Sequence, residues 1–244
     1  MTRKVPMTIN DPMTPKNNLC IIPARGGSKR IPRKNIRNFL GKPIIAYSIE
    51  LAIKSGLFEE VMVSTDDKEI AEIAILHGAR VPFMRSPQAS NDRASTMDVI
   101  REVIADYERQ KNSMFEKICC VYPTAPLIKA EHLKAGYELL NKKGYYSVFP
   151  VVSFSYPIWR GLKLEESEKI KMIWPEFQNS RSQDLEKAYH DAGQWYWFNS
   201  QKINNNTFTE NTGAIILDDM EVQDIDHLSD WKLAEMKYRA MHED

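Results

Sequence analysis

The chain is poor in several things that would mark particular classes of protein. It has only three cysteines, Cys20, Cys119 and Cys120, an odd number lying inside strand-like runs. That is no disulfide frame, and none stands at metal-ligand spacing; they read as reduced core residues of a cytosolic protein. None of the five histidines has such spacing with another His or Cys. Net charge is also missing, with 33 Lys and Arg against 33 Asp and Glu. A general nucleic-acid binder carries a basic excess over its domain, so this balance weighs against that class. No stretch approaches the roughly 18–20 apolar residues of a membrane span. Residues 1–18 lack the apolar run of a signal peptide and contain three prolines. They read as a mobile tail ahead of one domain over 19–244.

What is present is alternation. Apolar strand patterns at 19–24, 60–67, 80–85, "KICCVYP" and "YSVFPV" are interleaved with helical patterns at 43–56, 68–79, about 95–110 and "KAEHLKAGYELLNKKG". Ser95 is placed to cap the third helix, with Asp98 three residues on, and His77 to end the second. Strands separated by helices of about 12 residues predict an α/β sandwich of three layers with a mainly parallel sheet. The rhythm breaks over 152–190, a polar, aromatic-rich stretch too long for a simple connection. It predicts an excursion from the sheet that makes a lid or a subunit contact. Strand patterns resume at 193–198 and 213–219, and a helix closes the chain. Alternation along "WYW" sends Trp195 and Trp197 to one face and Tyr196 to the other.

Charge is concentrated at one point. After the first strand, Arg25, Lys29, Arg30, Arg33, Lys34 and Arg37 follow with no acid among them. Ligands of parallel α/β sheets bind beyond the carboxyl ends of the strands. There Gly26-Gly27 allow close backbone approach and point N–H groups at an anion. Arg25 and Lys34 supply charge and Ser28 a hydroxyl donor, a combination that suits a polyphosphate. On charge alone a solvated basic surface loop remains the alternative. Neither G-x-x-x-x-G-K-[ST] nor G-x-G-x-x-G occurs in this loop, which argues against a P-loop hydrolase and a dinucleotide dehydrogenase. Three further segments fall at the same sheet edge: 85–96, "YPTAP" (122–126) and "VQDID" (222–226). Asp224 and Asp226, two apart, face the same side of an extended segment. They are either an acidic turn or a pair that holds Mg²⁺ beside a polyphosphate.

These segments together resemble one family. "ARGGSKRIPRKN", the arginine-to-aspartate spacing of "RSPQASND", "YPTAP", "RSQD" and "DID…DW" are similar, in that order, to the CMP-sialic acid (acylneuraminate) synthetases, cytidylyltransferases that activate sialic acid and its relatives. The similarity runs over about residues 19–240. Two departures point away from sialic acid itself. "DAGQWYW" stands where sialic acid enzymes have an Asn-Gly-Ala-Ile run, and Tyr122 where they usually carry Gln. Both resemble the branch that uses pseudaminic acid.

The resemblance implies a nucleotide-diphosphosugar transferase type of fold and condensation of CTP with a nine-carbon 2-keto sugar acid. The anomeric hydroxyl attacks the α-phosphorus and pyrophosphate leaves. Catalytic roles are implied for Lys34, Arg25, Asp224 and Asp226. The nucleotide is assigned to Arg25, Ser28, Lys29, Lys34, Asn35, Arg85, Ser95 and Thr96, and Mg²⁺ to Asp224 and Asp226. The sugar acid is assigned to Tyr122, Thr124, Arg181, Gln183, Asp191 and Gln194, with Arg181 chosen because a guanidinium forks onto a carboxylate. Trp195, Tyr196 and Trp197 are candidates for a pocket wall. A cytoplasmic homodimer with no nucleic-acid or membrane partner is expected. A non-catalytic nucleotide-binding protein of the same fold is the alternative of another class.

Overall fold

The computed structural model describes residues 17–166, 168–203 and 206–242; of the tail expected over 1–18, residues 1–16 lie outside them. Strand β1 (Asn18–Pro23) begins one residue earlier than the sequence suggests. Asn18 belongs to the fold because its buried side-chain amide donates to the Leu57 carbonyl at 2.8 Å. A two-residue hairpin, β2 (Asn38–Phe39) with β3 (Lys42–Pro43), leads into helix α1 (Ile44–Lys54). Next come β4 (Glu60–Ser64), α2 (Lys68–Leu76), the single turn α3 (Pro87–Ser90) and α4 (Thr96–Lys111). Then follow β5 (Lys117–Val121), α5 (Ala130–Lys143) and β6 (Ser147–Ser153). The excursion carries a small ribbon, β7 (Leu162–Leu164) with β8 (Ile170–Met172). It returns through β9 (Tyr189–Asp191), β10 (Trp195–Asn199), β11 (Thr212–Leu217) and α6 (Leu228–His242).

The main sheet has the order β11-β6-β10-β5-β1-β4, with β9 beside the end of β6. Parallel pairing joins β4 to β1, β1 to β5 and β6 to β11, while β10 runs antiparallel to both of its neighbours. Alternation explains the layers. Cys20, Ile22, Val121, Trp195 and Trp197 face one core with α1, α2 and α5. Leu19, Ile21, Ile118, Cys120, Tyr196 and Phe198 face the other with α4. The result is the expected three-layer sandwich, with all three cysteines reduced and buried. Both faces of "WYW" are core, so none of these rings walls a pocket.

Residues 80–85 do not form the expected strand. They contribute one bridge, Met62 with Arg80, because Pro82 lacks the N–H a ladder needs. Ser95 caps α4 in a complete capping box with Asp98, and His77 is the C-cap of α2.

A third, smaller core sits at the sheet's edge. Ile31, Phe39, Ile44, Ile225, Trp231 and Ala234 are buried against one another. This cluster joins the loop after β1 to the segment before α6, with α6 as its lid.

One close approach is testable. A Cβ on Gly136 of α5 would lie 2.4 Å from the Trp195 ring, which is fully buried and has nowhere to move. Gly136→Ala should cost about 1–3 kcal/mol by overpacking and lower the calorimetric Tm, despite alanine's better helix propensity. An unchanged or raised Tm would contradict this packing.

Candidate active site

Strands β1, β4 and β5 end side by side, and the loops that leave them surround a cleft of about 640 Å³. Its lining includes Arg25, Ser28, Lys29, Arg30, Lys34, Asn35, Arg85, Ser95, Thr96, Tyr122, Thr124 and Asp226. The six cations of the loop after β1 each have a partner. Arg25 and Lys29 donate to the two oxygens of Asp92, at 2.8 and 2.5 Å. Arg30 forks onto Asp226 with both contacts at 2.8 Å. Arg33 forks onto Asp67 at 2.5 and 3.0 Å and reaches Glu69 at 2.6 Å. Arg37 lies over the Trp231 ring, 5.5 Å from its centroid. Lys34 donates to the Ile225 carbonyl at 2.7 Å. Burial pulls the Lys34 ammonium below the usual lysine range, and the carboxylates of Asp226 and Asp224 oppose that shift.

The backbone donors are less free than the glycine pair suggests. The Gly26 N–H donates to Asp66 at 3.0 Å. A Cβ at Gly26 would meet the Asp67 carboxylate at 2.7 Å, whereas Gly27 has open space around it. Glycine at 26 therefore serves the packing of the loop on β4. Asn35 is buried and its amide donates to the Arg25 carbonyl at 2.9 Å, which fixes the loop on itself.

On the opposite wall Arg85 is buried, with Nε on the Ser64 hydroxyl at 3.0 Å and a second contact to the Ser64 carbonyl. Burial lowers its pKa, and Asp66 and Glu102 counter the shift. The N-terminus of α4 opens beside it, the favourable end of a helix dipole for an anion. The Thr96 hydroxyl meets that of Tyr122 at 3.0 Å, and the Tyr122 ring stands 5.3 Å from Tyr196. The Tyr196 hydroxyl in turn donates to Asp191 at 2.7 Å.

The acidic loop is fixed from behind. Ile225 points into the small third core, and Asp230 accepts from the N–H groups of Asp226 and His227 at 3.0 and 2.7 Å. Asp226 lines the cleft; Asp224 is exposed on the same loop and does not. Among the described residues no three His, Cys, Asp or Glu side chains gather into a metal cluster.

A cytidylyltransferase family model matches residues 19–225, a span that holds every residue lining this cleft except Asp226. The chain belongs to the cytidylyltransferase family. It is 44% identical to the pseudaminic acid cytidylyltransferase of Campylobacter jejuni serotype O:2, over 93% of this chain and 98% of that protein. It is 33% identical to the CMP-N,N'-diacetyllegionaminic acid synthase of Legionella pneumophila, over 89% of this chain and 94% of that one. The solved structure of CMP:2-keto-3-deoxy-manno-octonic acid synthetase complexed with CTP superposes with a TM-score of 0.64. That match covers 93% of this chain and 99% of the other at 16% identity, a likeness of fold.

All the residues assigned to the nucleotide from the sequence line the cleft of this cytidylyltransferase, as do Tyr122 and Thr124. Four sugar-acid candidates do not. Arg181 and Gln183 are exposed, on the segment between β8 and β9, and do not line the cleft. Asp191 is spent on Tyr196 and on the Gly193 N–H at 2.7 Å. Gln194 is buried and donates to the Glu221 carbonyl at 2.5 Å. Sequence reasoning counted Arg30 among the loop's cations without giving it a role, and passed over Asp66 and Asp67. It quoted Asp92 only as the end of a spacing, and the structure gives it two of the six cations, Arg25 and Lys29.

Asp67 offers a direct electrostatic test. The Arg33 guanidinium, helped by the Ile70 N–H, pushes its carboxyl down to about 2. A carboxylate with a depressed folded pKa contributes stability above its unfolded value, near 3.9, and loses it as pH falls toward the folded one. Plots of Tm against pH for the wild type and Asp67→Asn should therefore be separated above about pH 4 and converge toward about pH 2. Parallel curves would contradict the assignment.

Proposed function

We propose that the chain transfers CMP from CTP to the anomeric hydroxyl of pseudaminic acid, giving CMP-pseudaminic acid and pyrophosphate. The observation that carries the reading is the cleft itself, in which Arg25, Lys29, Arg30 and Lys34 face Arg85 and the head of α4. Such a wall suits a triphosphate, and the identity to the Campylobacter jejuni enzyme supports the sugar acid. In this reading the triphosphate displaces Asp92 from Arg25 and Lys29, and releases Asp226 from Arg30. Lys34 stands nearest the α-phosphate, where its half-buried ammonium meets the charge that grows on the equatorial oxygens. Its depressed pKa comes from desolvation, which is also what strengthens its attraction to phosphate. Arg85, Ser95 and Thr96 hold base and ribose, and Asn35 keeps its side-chain oxygen free of the Arg25 contact. Tyr122 and Thr124 face the sugar acid.

Asp224 and Asp226 fit a magnesium ion bound mostly by substrate: both act on Lys34, and magnesium characteristically takes one or two carboxylates plus phosphate oxygens. When bound, the ion adds positive charge at the phosphates and lowers the pKa of the attacking hydroxyl. The chain's own part is to hold the two carboxylates on a loop clamped by Lys34, Asp230 and the third core.

The proposal includes a cytoplasmic homodimer that makes an activated sugar for transfer to a surface glycan or flagellin. Among the described residues no helix is long and apolar enough to cross a membrane. Leu164 and Ile170, on the β7–β8 ribbon, are 73% and 66% exposed, an apolar face that suits a second copy. Arg181 and Gln183 ride on that excursion, so they serve the sugar acid only where a second protomer brings them over a cleft.

Pyrophosphate release from CTP and Mg²⁺ should occur with pseudaminic acid and not with legionaminic or N-acetylneuraminic acid. Release with legionaminic or N-acetylneuraminic acid instead would favour the alternative, the same reaction on that acid; for legionaminic acid the Legionella pneumophila relative supports it. No release with any of the three, from protein that binds CTP, would favour the non-catalytic reading. Lys34→Ala should lower kcat about 10²–10³-fold with a smaller effect on CTP binding. For the dimer, Ile170→Asp should halve the mass seen by light scattering; an unchanged mass would reject this interface.

A further inference from the structure

Arg33 is in the left-handed backbone region, with φ 55 and ψ 30. A residue with a Cβ seldom adopts it without a reason in its surroundings. It stands directly before Lys34 and caps the one-turn helix Lys34–Ile36, whose Ile36 N–H donates back to the Arg33 carbonyl at 3.0 Å. The direction in which Lys34 leaves the loop is therefore set by this one turn.

Outside the cleft, a single carboxylate touches the loop at both ends. Asp67 accepts the Arg33 fork at 2.5 and 3.0 Å. It also fills the space beside the Gly26 α-carbon, where a Cβ would come within 2.7 Å of its oxygen. Asp67 is itself well held. It caps α2 by accepting from Ile70 N–H at 3.0 Å, and its own N–H donates to the buried Thr65 hydroxyl at 3.1 Å. The adjacent Asp66 holds the Gly26 N–H. Neither Asp67 nor Arg33 lines the cleft.

We propose that Asp67 is a positioning residue for the phosphate loop: its fork to Arg33 holds the left-handed turn that aims Lys34 into the cleft. A bond from the end of β4 thus fixes a cation carried by the loop after β1. The inference rests on reading that loop as the polyphosphate site. It adds a pair that touches no substrate yet sets the geometry of one that does. Glu69 supports Arg33 from solvent at 2.6 Å and plays the lesser part, being exposed.

Two substitutions separate positioning from plain stability. Asp67→Asn keeps the shape and the helix-capping acceptor and removes the charge. Arg33→Gly removes the fork while suiting the left-handed backbone. Pyrophosphate binding is read by calorimetry, and order by amide hydrogen exchange over 24–37 and over α2. Each variant should weaken pyrophosphate binding about tenfold and speed exchange in 24–37, with exchange in α2 unchanged. The double variant should be no worse than Asp67→Asn alone, because both remove one interaction. In turnover, kcat should fall while KM for the sugar acid holds. Wild-type affinity and exchange in both single variants would overturn the inference, as would losses that multiply in the double. Should Asp67→Asn fail to fold, Arg33→Gly decides by the same readouts. A wild-type protein that binds no pyrophosphate would overturn the phosphate-site reading beneath it as well. A wild type that binds it beside unaffected variants overturns this inference alone.

Discussion

Six cations in thirteen residues repel one another, and the free protein can keep them together only by giving each a partner. The partners differ in kind and in exposure. Asp92, which holds Arg25 and Lys29, has a side chain 53% exposed. Exposed pairs of that sort contribute little to stability, so under the proposed function phosphate oxygens would replace the carboxylate at small cost. The Arg33 fork on Asp67 is more enclosed and sits behind the cleft, where no ligand competes for it. The exposed pairs with Asp92 line the cleft, and the more enclosed Arg33–Asp67 fork lies outside it.

The same loop is tied to the acidic segment through apolar contact. Ile31 and Ile225 are both fully buried beside Trp231 and Phe39. This cluster brings segments almost two hundred residues apart in the chain to where Lys34 reaches the Ile225 carbonyl and Arg30 reaches Asp226. Its burial is ordinary hydrophobic stabilisation. Its effect is to set the cations of the loop after β1 and the Asp224/Asp226 segment within one small region. The terminal helix α6, which looks remote in the sequence, is what closes that cluster.

Much of this was legible in the residues. The alternation of strand and helix patterns gave the sandwich, and the absence of acids between Arg25 and Arg37 marked the loop. The capping box at Ser95 and Asp98 and the two faces of "WYW" follow from local rules. What was not legible depended on distant pairing. Asp67 reads as a helix cap, and only the fold brings Arg33 to it across thirty-four residues. Gln194 reads as a ligand-binding amide, yet the β9–β10 bend buries it against the Glu221 carbonyl. Arg181 has the right chemistry for a carboxylate, but it lies between the separate β7–β8 ribbon and β9 and does not line the cleft. Residues 80–85 alternate like a strand, and one proline prevents the ladder.

The central claim is that the loop after β1 is a triphosphate site, and the most direct measurement compares the affinity of CTP and CMP by calorimetry over a range of salt concentration. If the cations bind the β- and γ-phosphates, CTP should bind far more tightly than CMP, and the gap should narrow as salt rises. Equal affinities for the two, with no salt dependence in their ratio, would place the phosphates elsewhere and contradict the account.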